Sequence, residues 1–128
     1  MDAKTLYKQQ IIDNYKNPKN FGTLENANMK SKVANLSCGD EIELYILEKD
    51  GVVEEVKFNG SGCAISIASA SLLTEKLKGQ KVEDVMKIKS EEVLKMIGME
   101  KESPRVKCGL LALEGVKRLV LSKRGEDN

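Results

Sequence analysis

The chain of 128 residues contains no histidine and no tryptophan, two prolines, and only 4% aromatic residues. Without histidine, any metal site must be built without imidazole. With so few aromatics, the core must be aliphatic, made from Ile, Leu, Val and Ala. A charge of one sign is missing too. Net charge is +1, from 21 basic and 20 acidic residues spread along the chain, which leaves no electrostatic footprint for nucleic acid. The basic tail of Lys117, Arg118, Lys123 and Arg124 is interrupted by Leu119, Val120 and Leu121. It reads as a solvated helix end, where cations are favoured. No apolar run approaches the ~20 residues of a membrane span, and no charged-then-apolar leader opens the chain. The expected setting is the cytoplasm, away from membranes. Three cysteines are few, and an odd number, for a disulfide framework. Metal binding or thiol chemistry is what remains for them.

Length and composition suit a single domain spanning residues 1–128. A chain of this size buries roughly two-thirds of its unfolded surface and folds without a staple. Tyr7, Ile11 and Tyr15, with Ile12 alongside, predict a helix over 5–15, ended by Asn17-Pro18-Lys19-Asn20-Phe21-Gly22. Residues 31–37 form a weak strand candidate. Residues 41–48 alternate, with Ile42, Leu44 and Ile46 on one face and Glu41, Glu43 and Tyr45 on the other. Asp50-Gly51 supplies a turn, and 52–58 return with Val56 and Phe58 on one face. An antiparallel three-stranded meander results.

Beyond Cys63 the pattern becomes helical. Residues 64–74 carry no charge and mix Ile and Leu with Ala and Ser, as in a helix buried on most sides. Gly79 stops it. Short helices follow over 81–88 and 90–97, the second with Ser90 as N-cap, Glu91 and Glu92 in its first turn and Gly98 at its end. A last helix over 109–121 places Ala112, Leu113, Val116, Leu119 and Val120 inward. Strands first and helices after indicate an α+β fold, with helices packed on an antiparallel sheet.

The three cysteines all fall at predicted element boundaries. Cys38-Gly39-Asp40 pairs a thiol with a carboxylate two residues on, and an extended segment sends both side chains to one face. The plainer alternative is a small buried Cys beside a turn Asp. Cys63 follows Gly60-Ser61-Gly62 at the start of the uncharged helix. The helix dipole there favours the thiolate, which is the ligand and nucleophile, although a structural cysteine would also fit. No Gly-Lys-Ser/Thr follows, so the glycines are not a nucleotide loop. Cys108 lies ahead of the last helix, after Pro104, Arg105 and Lys107, and both dipole and cations favour its thiolate. Lys107 is either a surface lysine or, once deprotonated, a further ligand. The spacings of 25 and 45 residues are too wide for a zinc knuckle, so the fold must assemble any shared site. The expected ligand set is Cys38, Cys63 and Cys108, with Asp40 as fourth. Cys108 is the expected persulfide acceptor, on accessibility and thiolate character.

Taken together these residues make the chain recognisable. Tyr15-Lys16-Asn17-Pro18-Lys19-Asn20-Phe21-Gly22, Cys38-Gly39-Asp40, Gly62-Cys63-Ala64-Ile65-Ser66 with Ala68-Ser69-Ala70-Ser71, and Arg105-Val106-Lys107-Cys108 resemble the motifs of the U-type iron–sulfur cluster assembly scaffolds: IscU, the N-terminal domain of NifU, and SufU. The resemblance runs over essentially the whole chain. It implies a scaffold on which a [2Fe–2S] cluster is built from iron and from sulfur supplied by a cysteine desulfurase, then passed to apo-proteins. In length the chain is IscU-like, and it lacks the SufU insertion. Lys107, where IscU members carry His, is SufU-like. Glu102-Ser103-Pro104-Arg105-Val106 replaces the Leu-Pro-Pro-Val-Lys of chaperone-dependent IscU members, so the resemblance does not extend to a chaperone partner.

Three thiolates and a carboxylate hold a cluster less firmly than four thiolates. That suits a protein that gives its cluster away, and it makes Asp40 the expected release residue. The same set binds zinc tetrahedrally. Three readings stand: a cluster scaffold, a zinc-dependent sulfurtransferase fed by a desulfurase, and a domain with structural zinc. Length and the missing insertion favour the first, and Lys107 the second. Having only three thiolates per chain also suggests that cluster loading promotes a homodimer.

Overall fold

The computed structural model describes residues 3–37 and 39–123. Cys38 and Arg124, both singled out above, lie outside the described residues. The elements run α1 (Ala3–Lys16), β1 (Met29–Asn35), β2 (Asp40–Lys49), β3 (Val52–Ser61), α2 (Ala64–Leu77), α3 (Val82–Val85), α4 (Ser90–Ile97) and α5 (Val106–Lys123). The strands form an antiparallel sheet in the order β1-β2-β3, and the fold is α+β as expected.

Alternation along β2 sets the two faces of the sheet. Ile42, Leu44 and Ile46 are fully buried, while Glu41, Glu43 and Tyr45 point to the other side. Val33 of β1 and Val56 and Phe58 of β3 join the inner row. Helices α2 and α5 cover that face and pack against each other. From α5, Ala112, Leu113, Val116, Leu119 and Val120 all enter the core. Each of the Leu and Val side chains contributes about 1.5–3 kcal/mol by leaving water, before conformational entropy is subtracted.

Helix α2 is enclosed by α1, α4, α5 and β3, which explains why residues 64–74 carry no charge, Glu75 and Lys76 coming only in its last turn. Only small side chains let helices approach from several sides, and Ala68, Ser69 and Ala70 are fully buried. Its contact with α1 includes a buried polar pair that the sequence did not announce. The Ser71 hydroxyl donates to Asn14 Oδ1 at 2.6 Å and accepts from the Lys19 N–H at 2.8 Å. Tyr15, expected on the packed face, is instead exposed.

The segment after α1 is tied down at both sides. Asn20, at φ 62°, donates through its side-chain amide to Thr74 and Glu75 of α2. Its carbonyl accepts from Phe58 N–H at 2.8 Å, and Gly22 N–H donates to Phe58 O at 2.7 Å. Phe21 thereby stacks edge-on against Phe58 with centroids 5.3 Å apart.

Boundaries differ from expectation at several elements, and the helix expected over 81–88 is confined to Val82–Val85. Strand β1 begins at Met29 rather than 31. Lys89, not Ser90, occupies the N-cap of α4, and its N–H is 3.5 Å from the Glu92 carboxylate. Helix α5 begins at Val106, because Cys108 N–H and Gly109 N–H already bond back to the Arg105 carbonyl. Cys108 is therefore inside the first turn rather than ahead of it.

Candidate functional site

Sheet register brings the chemistry together. Glu41 pairs with Ser61, so the start of β2 lies beside the end of β3 and the Gly62-Cys63 entry to α2. Asp40 shares the parity of Ile42, Leu44 and Ile46, and it continues their inward row to the rim of the sheet. It is 1% exposed. The turn before it closes with Gly39 N–H on Asn35 O at 2.9 Å. Two glycines admit the close approach. A side chain at Gly60, whose φ is 148°, would overlap the Glu41 carbonyl. A Cβ at Gly62 would come within 2.7 Å of Asp40 Oδ1.

The Asp40 carboxylate is held at both oxygens. Cys63 N–H donates to Oδ1 at 2.9 Å, and the Ser66 hydroxyl donates to Oδ2 at 2.6 Å. Burial pushes the Asp40 carboxyl up. The hydrogen bonds from Ser66 and Cys63 N–H outweigh it, with Cys108 and the Arg105 charge adding to them, and hold the group below the usual carboxylate range. Cys63 Sγ lies 3.9 Å from Asp40 Oδ2 and 3.5 Å from Ser66 Oγ. Burial raises this thiol, yet its hydrogen bonds with the Ser66 side chain and backbone, with Arg105 and with Cys108 bring it below the ordinary value. Arg105 beside both sulfurs is held more firmly protonated, chiefly by Cys63 and then Cys108.

One ligand atom each from Asp40, Cys63 and Cys108 lies within 4.8 Å of the others. Tetrahedral bonds of about 2.3 Å to sulfur and ~2.1 Å to oxygen would place two such atoms roughly 3.6 Å apart. The observed 3.9 Å between Cys63 Sγ and Asp40 Oδ2 needs only a small closure. Soft sulfur with one hard oxygen suits zinc or the iron of an iron–sulfur cargo. Of the sequence-predicted residues, the structure thus brings Asp40, Cys63 and Cys108 together, with Arg105 beside the sulfurs. Lys107 is exposed and lines a neighbouring groove with Leu36. Cys38 lies outside the described residues.

Accessibility differs from the sequence reading. Cys108 is 1% exposed, whereas Cys63 is half-buried. The first turn of α5 is covered by α4, where Ile97 presses on Gly109. Sequence reasoning misses Ser66 as a site residue. Its place one helical turn after Cys63 was the available signal, since residues three apart share a helix face. Around the Gly60–Cys63 loop, Tyr15, Pro18, Phe21 and Ile67 line a groove of about 490 Å³. Tyr15 and Phe21 are exposed there, and Leu36 is exposed on the β1–β2 turn.

Comparison with known proteins places the chain in a family. The NifU-like N terminal domain model matches residues 6–125. The iron–sulfur cluster assembly scaffold protein IscU of Thermotoga maritima is 38% identical, over 91% of this chain and 94% of that protein. The zinc-dependent sulfurtransferase SufU of Bacillus subtilis is 35% identical, over 94% of this chain and 93% of its own length. Among solved structures, a putative SUF-system scaffold protein of Fervidobacterium islandicum superposes with a TM-score of 0.79 at 30% identity, covering 93% of this chain and 99% of that one. The chain belongs to the family of NifU-like N-terminal domains.

Proposed function

We propose that this protein is a cytoplasmic single-domain scaffold that receives iron and desulfurase-derived sulfur, holds a labile [2Fe–2S] cluster as cargo, and hands it to apo-proteins. The observation that carries the reading is the convergence of Asp40, Cys63 and Cys108 within 4.8 Å at the end of the sheet. Cys38, two residues before Asp40, is the further proposed ligand. Cys63 and Cys108 supply soft sulfur, and Asp40 supplies a hard oxygen whose bond to iron opens first. Arg105 offsets negative charge at the two sulfurs. The exposed Tyr15, Phe21 and Leu36 give protein partners an apolar rim at which to dock. A desulfurase and cluster acceptors are the proposed partners, and cluster loading is proposed to favour a homodimer.

Sulfur delivery to Cys108, favoured on sequence, requires a local opening at the first turn of α5, because the residue is buried. A second reading, the zinc-dependent sulfurtransferase, is favoured by Lys107 and by the same tetrahedral donor set. In that case Zn2+ would occupy the site and Cys63 or Cys108 would accept the sulfur. Transfer to an apo-ferredoxin tests the scaffold reading. Wild type should load the acceptor, and Asp40→Ala should hold its cluster but pass it on more slowly. Equal rates for the two proteins would remove Asp40 from release. Failure of wild type to load any acceptor would favour the sulfurtransferase.

A further inference from the structure

The Asp40 carboxylate cannot turn freely. Its Oδ1 is bonded to Cys63 N–H at 2.9 Å and abuts the Gly62 backbone, where a Cβ would stand only 2.7 Å away. Its Oδ2 is held most closely by the Ser66 hydroxyl at 2.6 Å. Ser66 is 1% exposed, so bulk water cannot readily replace that donor. A hydroxyl has one proton to give, and here it is committed to Oδ2. The same Oδ2 is the oxygen that lies 3.9 Å from Cys63 Sγ.

We propose that Ser66 is a positioning residue, which presents Asp40 Oδ2 as a single ligand atom beside the Cys63 sulfur. This rests on the metal-binding reading of the site. A carboxylate oxygen has lone pairs enough to accept from Ser66 and face an ion at once. Because the main chain engages Oδ1, ligation through both oxygens would require breaking the Cys63 N–H bond. Removing the hydroxyl frees Oδ2 to rotate, and the ordered monodentate arrangement is lost. Partners of ligands at this remove typically change metal affinity about 10–100-fold. Ser66 Oγ also lies 3.5 Å from Cys63 Sγ, but Oδ2 at 2.6 Å is the much nearer acceptor, so its effect on the metal runs chiefly through Asp40, which separates it from a residue that merely packs α2.

Cobalt(II) is the probe, added anaerobically to the reduced full-length chain. Its visible d–d absorption reports coordination number, and its sulfur charge-transfer band reports thiolate ligation. Ser66→Ala keeps a good helix former in α2, and Ser66→Thr keeps the hydroxyl. We expect Ser66→Ala to bind cobalt about tenfold more weakly than wild type. Its d–d intensity should fall while the thiolate band persists, and Ser66→Thr should restore both. In an Asp40→Ala background, adding Ser66→Ala should change affinity by less than about twofold, as expected when one residue acts through the other. Wild-type affinity and spectrum for Ser66→Ala would overturn the inference while leaving the metal site standing. So would an equal loss with and without Asp40. A wild-type chain that takes up no cobalt would overturn both.

Discussion

Gly62→Ala should displace the Asp40 carboxylate without altering any group on it. The backbone at Gly62 is not in the left-handed region, so alanine meets no conformational strain there. The obstacle is Asp40 itself: the new Cβ would lie 2.7 Å from Oδ1, 3.1 Å from Cγ and 3.2 Å from Cβ. Ordinary contact begins near 3.4 Å, so Oδ1 must retreat by about 0.7 Å. A shift of that size along the Cys63 N–H bond would stretch it from 2.9 Å to about 3.6 Å, too long for a hydrogen bond. Losing a bond to a charged group costs about 1.5–3 kcal/mol. For a chain of this length that is a fall of roughly 5–10 °C in the melting temperature. Thermal unfolding of reduced, metal-free protein measures it. In an Asp40→Ala background the two shortest contacts vanish, so Gly62→Ala should cost less than half as much there. The same penalty in both backgrounds, or no penalty in wild type, would refute the reasoning that Asp40 is wedged against this backbone.

The remaining predictions concern reactivity and docking. Iodoacetamide should label Cys63 before Cys108 in the metal-free protein, since one sulfur is half-buried and the other almost fully enclosed. Because the Cys63 thiol is lowered, its thiolate exists above a pH that is itself below the ordinary thiol range. Its labelling rate should therefore persist at lower pH than that of a model thiol; a midpoint at or above the model's would contradict the hydrogen-bonding account. Asn14→Ala should cost about 1–3 kcal/mol in denaturant unfolding, because it leaves the buried Ser71 hydroxyl without its acceptor. An unchanged midpoint would mean that α1 is held by its apolar contacts alone.

Much of this molecule was legible because it depends on period. Ile42, Leu44 and Ile46 alternate, and one face of β2 is the core. Lack of charge over residues 64–74 announced the burial of α2. Even the burial of Asp40 follows from its parity with Ile42. What period cannot report is a polar pair made across elements. Asn14 and Ser71 are 57 residues apart, and their bond joins α1 to α2 at a buried polar point that no apolar stripe announces. Ser66 and Asp40 are 26 residues apart, joined only because β2 begins where β3 ends. The accessibility of Cys108 was misjudged for a related reason. Gly109 suggested a helix start, but hydrogen bonding begins at Arg105 and draws Cys108 into the packed first turn. Burial by α4 is a tertiary fact with no local signature.

Anaerobic reconstitution tests the central claim most directly. The reduced protein is supplied with ferrous iron, cysteine, a cysteine desulfurase and excess dithiol to reduce the persulfide sulfur to sulfide, then desalted and examined by visible absorption and metal analysis. The scaffold account predicts a coloured protein with sulfur-to-iron charge-transfer bands and equal amounts of iron and acid-labile sulfide. A colourless protein that retains zinc and takes up no iron would contradict it.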